Sequence, residues 1–176
     1  MKKKILAISG STRANSVNLQ ILEAIAKMYS SQVDFVLFSE IDQLPHFNPD
    51  LDQEPFPPAI ISLRKKIEEA DGILICTPEY VFSLPGSLKN ALEWMVSTTL
   101  FTDKPAALIT ASSSGQKARE ALDLIMRTLG VKLAENGSLL ISAPKNKVSI
   151  DGEITDKATL LAIRELMDAF IFMLEN

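Results

Sequence analysis

The chain has 176 residues, 47% apolar and 23% charged, which is the make-up of a soluble globular protein and the length of a single domain, residues 1–176. Aromatics are sparse at 6%, and neither proline nor glycine is enriched, which disfavours disorder and fibrous folds. The formal net charge of −4 argues against a nucleic-acid-binding surface, and the basic run Lys2 to Lys4 precedes an apolar stretch too short for a signal peptide.

Along the chain, short apolar runs alternate with longer helical periods. Lys4 to Ser9 reads as a fully buried strand. Ser16 to Tyr29 carries apolar residues at helical spacing (Leu19, Ile21, Leu22, Ile25, Met28). Val33 to Phe38 is a second strand. Asp42 to Pro58, with prolines at 45, 49, 55, 57 and 58, is a loop. Pro58 to Ala70 reads as helix and Gly72 to Thr77 as a third buried strand. Pro85 or Gly86 opens a helix expected to run to about Ser97. Pro105 to Ala111 is a fourth strand, and Gln116 to Leu129 a helix stopped by Gly130. The segment from Lys132 is mixed and leads into a fifth strand around Ser138 to Ser142. Asp156 to Leu174 is a terminal amphipathic helix.

No window approaches the roughly 18 apolar residues of a membrane span. The one cysteine, Cys76, has no partner for an internal disulfide, so a reducing compartment, by default the cytoplasm, is expected. Its apolar surroundings make it a core residue rather than a nucleophile.

Strands alternating with helices imply right-handed crossovers and a parallel sheet covered on both faces. Ligands of such sheets bind beyond the carboxyl ends of the strands. That rule selects the loops after Ile8, Cys76 and Thr110. In the first, Ser11, Thr12, Arg13, Ser16 and Asn18 lead into a helix N-terminus, a combination suited to a monophosphate. The patterns GxGxxG and GxxxxGK are absent, which disfavours dinucleotide and P-loop NTPase sites. An ordinary serine-rich turn, with Ser16 as N-cap and Arg13 in solvent, is the alternative. In the second loop, Glu79 to Ser83 form an irregular stretch between Pro78 and Pro85 that can face a flat ring. Tyr80 and Phe82 add ring surface there, or are two buried aromatics of a plain connection. In the third, Ser112, Ser113 and Ser114 offer hydroxyls and amides to a polar ring edge, and the next helix N-terminus can stabilise developing negative charge; otherwise the serines are only a loop.

Three separated stretches carry a family resemblance: Ser9-Gly-Ser-Thr-Arg13 with Ser16 and Asn18; Leu44-Pro-His-Phe-Asn-Pro-Asp-Leu-Asp52; and Thr77-Pro-Glu-Tyr80 continuing through Leu84-Pro-Gly-Ser-Leu-Lys-Asn-Ala-Leu-Glu-Trp94. In these the chain resembles the NADPH-dependent FMN reductases, which include azo, quinone and chromate reductases. The resemblance implies a flavodoxin-like α/β fold, a doubly wound five-stranded parallel sheet. It also implies FMN as cofactor and NADPH or NADH as electron donor. By resemblance, Ser11, Arg13, Ser16 and Asn18 would hold the FMN phosphate. Pro78, Glu79, Tyr80, Val81, Phe82 and Ser83 would lie along the isoalloxazine, and Ser112 to Ser114 would approach its pyrimidine end. Val81 and Phe82 depart from the family, which commonly has Asn-Gly or Asn-aromatic there; β-branched Val81 resists positive φ, so a different local turn is expected.

The resulting expectation is an enzyme with no essential side chain, passing hydride from nicotinamide through flavin to a small acceptor by a ping-pong scheme. The acceptor would be a quinone, an azo compound, a metal oxyanion or free flavin. A flavodoxin-type electron carrier with a protein partner is the alternative; the modest net charge and Arg13 speak against it. Glu79 is expected to orient its loop, and the sole histidine, His46, to be a surface or subunit-contact residue. Trp94, Met95 and Val96 are expected to fill a core or a subunit interface; with Leu92, Leu100 and Phe101 they suggest a homo-oligomer, dimer or tetramer, with the loop His46 to Asp52 as the facing surface.

Overall fold

The computed structural model of the chain describes residues 2–149 and 151–176. Its strands are β1 (Lys3–Ser9), β2 (Val33–Phe38), β3 (Gly72–Thr77), β4 (Pro105–Ser112) and β5 (Lys132–Ser142). The helices are α1 (Val17–Tyr29), α2 (Pro58–Glu68), α3 (Gly86–Glu93), α4 (Gln116–Thr128) and α5 (Lys157–Glu175). All strand pairs are parallel, in the order β2-β1-β3-β4-β5.

Successive residues of a strand point to opposite faces, and both faces of the central strands are covered, so β1, β3 and β4 read as unbroken apolar runs. Ile5 and Ala7 join Leu74, Cys76, Ala107 and Ile109 beneath α1 and α5. Leu6 and Ile8 join Ile73, Ile75, Ala106 and Leu108 beneath α2, α3 and α4. Each fully buried aliphatic side chain contributes about 1.5–3 kcal/mol, against at most about 1 kcal/mol for an exposed ion pair such as Lys65–Glu69. The two apolar layers therefore decide the fold.

Element ends differ from the sequence reading by more than two residues in two places. Helix α3 stops at Glu93 rather than near Ser97. The chain tightens into turns there, Met95 donating to the Leu92 carbonyl at 3.1 Å, and the Trp94 carbonyl accepts from Arg64 at 2.6 Å. The fifth strand begins six residues earlier than expected, because Lys132 and Leu133 already pair with Pro105 and Ala106. The pairing then jumps from Leu133 to Ser138 while β4 advances only from Ala106 to Leu108, so residues 134–137 loop out of the ladder. That excursion breaks the periodicity and makes the segment look mixed.

The proline-rich segment is ordered by side chains. Asn90 accepts from the Phe47 amide at 2.7 Å and donates to the Pro45 carbonyl at 3.0 Å, and the Trp94 indole donates to the same carbonyl at 2.8 Å. Phe47 meets Trp94 edge-on at 5.2 Å. Arg64 pairs with Asp52 at 2.6 Å, both side chains largely buried, and its guanidinium lies 4.7 Å from the Phe56 ring centre. Removing one member of such a buried pair costs about 3–5 kcal/mol. Trp94, Met95, Leu92 and Phe101 are therefore core residues of their own chain, and the loop His46 to Asp52 covers them from the same chain. This corrects the expectation that they form a subunit face; of that group Val96 alone is strongly exposed, at 65%.

Gly10 ends β1 where the backbone comes closest to its neighbours. Its amide donates to the Cys76 carbonyl at 2.8 Å, and a Cβ there would lie 2.4 Å from Thr77 Oγ1 and 2.9 Å from Leu88 Cδ2. Gly10→Ala is accordingly expected to destabilise the chain by about 1–3 kcal/mol, the usual cost of overpacking. Urea unfolding should show this as a lower midpoint with an unchanged slope; an unaltered midpoint would mean that the two loops can part without cost.

Candidate functional site

The strand order reverses between β1 and β3: the chain leaves β1 for β2 on one side and reaches β3 on the other. A site is expected beyond the carboxyl ends of those strands. The loops after β1, β3, β4 and β5 enclose a cleft of about 620 Å³ there.

The first loop is organised by its own hydroxyls. Ser9 Oγ accepts from the Ser11 amide at 3.3 Å and donates to the Ser11 carbonyl at 3.2 Å, and Ser11 Oγ accepts from the Arg13 amide at 3.4 Å. Ser16 caps α1, accepting from the Leu19 amide at 3.1 Å. The Val17 and Asn18 amides, the first two of the helix, stay outside its hydrogen-bond ladder, and the positive end of the helix dipole lies there. Ser11, Arg13, Ser16 and Asn18 all line the cleft, as expected.

Asn18 is oriented from below. Its side-chain oxygen accepts from the Cys76 thiol at 3.4 Å, which leaves the Asn18 NH₂ group for the cleft. Burial pushes the Cys76 thiol far above its ordinary range, so it stays protonated as a donor.

The second loop is a two-residue hairpin rather than an irregular stretch. Tyr80 and Ser83 exchange two backbone hydrogen bonds, each 3.0 Å, across Val81 and Phe82. Both central residues are left-handed, at φ 51° and 57°. Val81 thus does adopt positive φ: the paired ends impose a primed turn, at about 1–2 kcal/mol per non-glycine residue. Pro78, Glu79 and Tyr80 line the cleft; Val81, Phe82 and Ser83 do not. Tyr80 and Phe82 are exposed, not buried, and Val81 is 94% exposed.

The third loop supplies Ser112 and Ser113 to the cleft, whereas Ser114 lies outside its lining. Gly115 stands at the N-cap of α4 with φ +80°, and a Cβ there would meet Leu140 Cδ1 at 2.5 Å. The cap comes instead from Glu79, whose carboxylate accepts from the Ala118 amide at 2.9 Å. The loop-orienting role expected of Glu79 thus has a definite partner. The N-terminus of α4, expected to be free for developing negative charge, is already engaged by a carboxylate.

The fourth wall was not foreseen. Ala143, left-handed at φ 48°, turns the chain into the short 3₁₀ segment Pro144–Asn146, and Lys145, Asn146 and Ser149 join the lining. Applying the strand-end rule to β5 as well would have found it. Among the described residues, neither Arg13 nor Lys145 takes part in an ion pair, and Glu79 is the one acid lining the cleft. His46 is exposed and outside it. No group of three or more metal-ligating side chains is found among the described residues. No helix among them is long and apolar enough to cross a membrane.

The family model for NADPH-dependent FMN reductase matches residues 3–145. The chain is 31% identical to NADH:(hydroxy)cinnamate reductase subunit CrdA of Vibrio ruber, over 97% of this chain and 86% of that protein. It is also 31% identical to the 2-hydroxy-1,4-benzoquinone reductase of a Burkholderia species, over 97% and 95% of the two chains. In three dimensions it resembles FerB, a flavoenzyme NAD(P)H:(acceptor) oxidoreductase from Paracoccus denitrificans. That match has a TM-score of 0.81 at 28% identity and covers 98% and 97% of the two chains.

The buried Cys76 thiol yields a direct test of how tightly the cleft floor is closed. Iodoacetamide should label the native chain at least about a thousandfold more slowly than the urea-unfolded chain, since labelling must await opening. Prompt labelling of the folded protein would show that the floor beneath Asn18 opens locally.

Proposed function

The chain belongs to the NADPH-dependent FMN reductase family, and on that premise we propose that its cleft binds one FMN and works as an NAD(P)H-dependent quinone-type reductase. The observation that carries this reading is the convergence on one cleft of the hydroxyl-and-arginine loop after β1, the segment Pro78 to Tyr80 after β3 and the serines after β4. FMN held there would supply the redox chemistry, two-electron transfer from NADPH or NADH to a quinone or another small acceptor.

The donor set fits the group. A flavin phosphate carries close to two negative charges, and the cleft offers two cations without ion-pair partners, Arg13 and Lys145. The Ser11 and Ser16 hydroxyls, the NH₂ of Asn18 and the first two α1 amides add donors around one anion. A single cradle of this kind suits FMN, with its one phosphate. Pro78 and Tyr80 supply apolar surface for the isoalloxazine, and the backbone of Glu79 and Tyr80 runs beside it. Val81 and Phe82 hold the turn that aims this backbone. Ser112 and Ser113 meet the polar pyrimidine edge. No side chain is required to break a bond; the chain binds, orients and excludes water. The whole chain acts as a single domain, and its one thiol, free and buried, suits the reducing cytoplasm. Net charge −4 favours a small-molecule acceptor over nucleic acid.

A homodimer or higher homo-oligomer is the second part of the proposal, on a surface that keeps Leu92 and Val96 of the group the sequence suggested and adds α4. Val96 and Leu124 are 65% and 68% exposed, and with Phe47, Leu92, Ile125 and Leu129 they line a groove of about 410 Å³ beside α3 and α4. A two-fold pair is the commonest way to cover such a face. Light scattering should give at least the dimer mass, and Leu124→Glu should shift it to the monomer. A monomeric wild type would leave the groove as plain surface.

Reconstitution tests the cofactor assignment. The chain should take up about one FMN, and Arg13→Ala should weaken FMN by about 1.5–3 kcal/mol while barely changing riboflavin affinity. Equal losses for both ligands would show that Arg13 acts through the fold, and no flavin uptake by wild type would sink the proposal.

A further inference from the structure

Glu79 is the one acid lining the cleft, and its carboxylate sits on the N-terminus of α4, 2.9 Å from the Ala118 amide. We propose that this trans-loop cap makes Glu79 a positioning residue for the redox balance of the site. By replacing the positive end of α4 with net negative charge beside Ser112 and Ser113, it lowers the potential of the bound flavin.

The helix needs a cap from elsewhere. Gly115 has no side chain, and any Cβ at that position would run into Leu140, so the N-cap residue cannot cap itself. A neutral acceptor would satisfy the Ala118 amide equally well; the charge is the part that capping does not require. A free helix N-terminus acts as roughly half a positive charge. With a full negative charge set against it, that end of the cleft carries roughly half a negative charge instead. Lys117 offsets it only in part, because its exposed ammonium is held by Glu120 at 2.8 Å and is screened by solvent. Ala118 is fully buried and Glu79 half-buried, so the interaction is poorly screened. Reduction adds electron density to the ring of the bound cofactor, and a negative wall opposes it. The chain therefore holds a flavin that gives electrons up readily, as handing them to an acceptor demands.

This inference rests on the flavin reading of the cleft, and one titration separates the two. Wild type, Glu79→Gln and Glu79→Asp are loaded with FMN and reduced anaerobically against a reference dye, and the midpoint is read from flavin absorbance. The glutamine keeps the hydrogen-bond acceptor and removes the charge. It should favour reduced over oxidised FMN by about tenfold relative to wild type, a positive shift of about 30 mV for a two-electron couple. The aspartate, which keeps the charge, should stay near wild type. Lys117→Glu adds a negative charge beside the same helix end without touching the cap, and should move the midpoint the other way; it carries the test if Glu79→Gln does not fold. Identical midpoints in wild type, Glu79→Gln and Lys117→Glu would overturn the inference and leave Glu79 a plain cap. A wild type that shows no flavin spectrum would overturn the reading of the cleft itself, and the inference with it.

Discussion

Everything at the carboxyl edge of the sheet is placed by the approach of the first loop to the third strand. The Gly10 amide is bonded to the Cys76 carbonyl, and the space a Cβ would need at residue 10 is filled by Thr77 and Leu88. Because β1 and β3 are neighbours with divergent connections, this is also where the strand order reverses. The contact fixes the loop after β1 against the base of the Pro78–Tyr80 segment. From the same residue of β3, Asn18 takes its orientation through the Cys76 thiol, so the floor of the cleft is set by a sheet residue rather than by loop contacts.

Cross-loop ties of the same kind secure the rest. Glu79 links the second loop to α4, and Asn90 with Trp94 straps the proline-rich segment to α3. Arg64 closes the far end through Asp52 and the Trp94 carbonyl. Each tie uses a polar side chain to satisfy backbone groups that the loops themselves leave unpaired. Irregular segments are thereby tied to the helices beside them through specific side-chain hydrogen bonds.

The sheet and its helices were legible because buried parallel strands announce themselves as apolar runs: Gly72–Thr77 is found where it was expected. The grouping of Ser11, Arg13, Ser16 and Asn18 along one cleft was legible too, since a loop from a buried strand into a helix start brings them together. The misjudged parts depend on contacts remote in sequence. Nothing local tells that Glu79 will cap a helix 39 residues away, or that the amide ends of Tyr80 and Ser83 will pair and force Val81 and Phe82 left-handed. Trp94 reads as surplus apolar surface only until Pro45 is brought to its indole. Lys145 lies beyond a strand whose first half reads as mixed, because the excursion at residues 134–137 breaks its periodicity.

That raggedness has a bearing on how the chain avoids its own kind. β5 is the outer strand on its side of the sheet and, at 11 residues, the longest of the five. A straight outer strand of that length would present a row of unpaired amides and carbonyls on which another chain could extend the sheet. The excursion at residues 134–137 divides the row into two short pieces, and exposed Lys132 and Glu135 add charge along it. The opposite outer strand, β2, spans six residues and exposes Asp34. Neither margin offers a long, flat, uncharged template, so the fold is guarded at both edges against runaway sheet growth and aggregation.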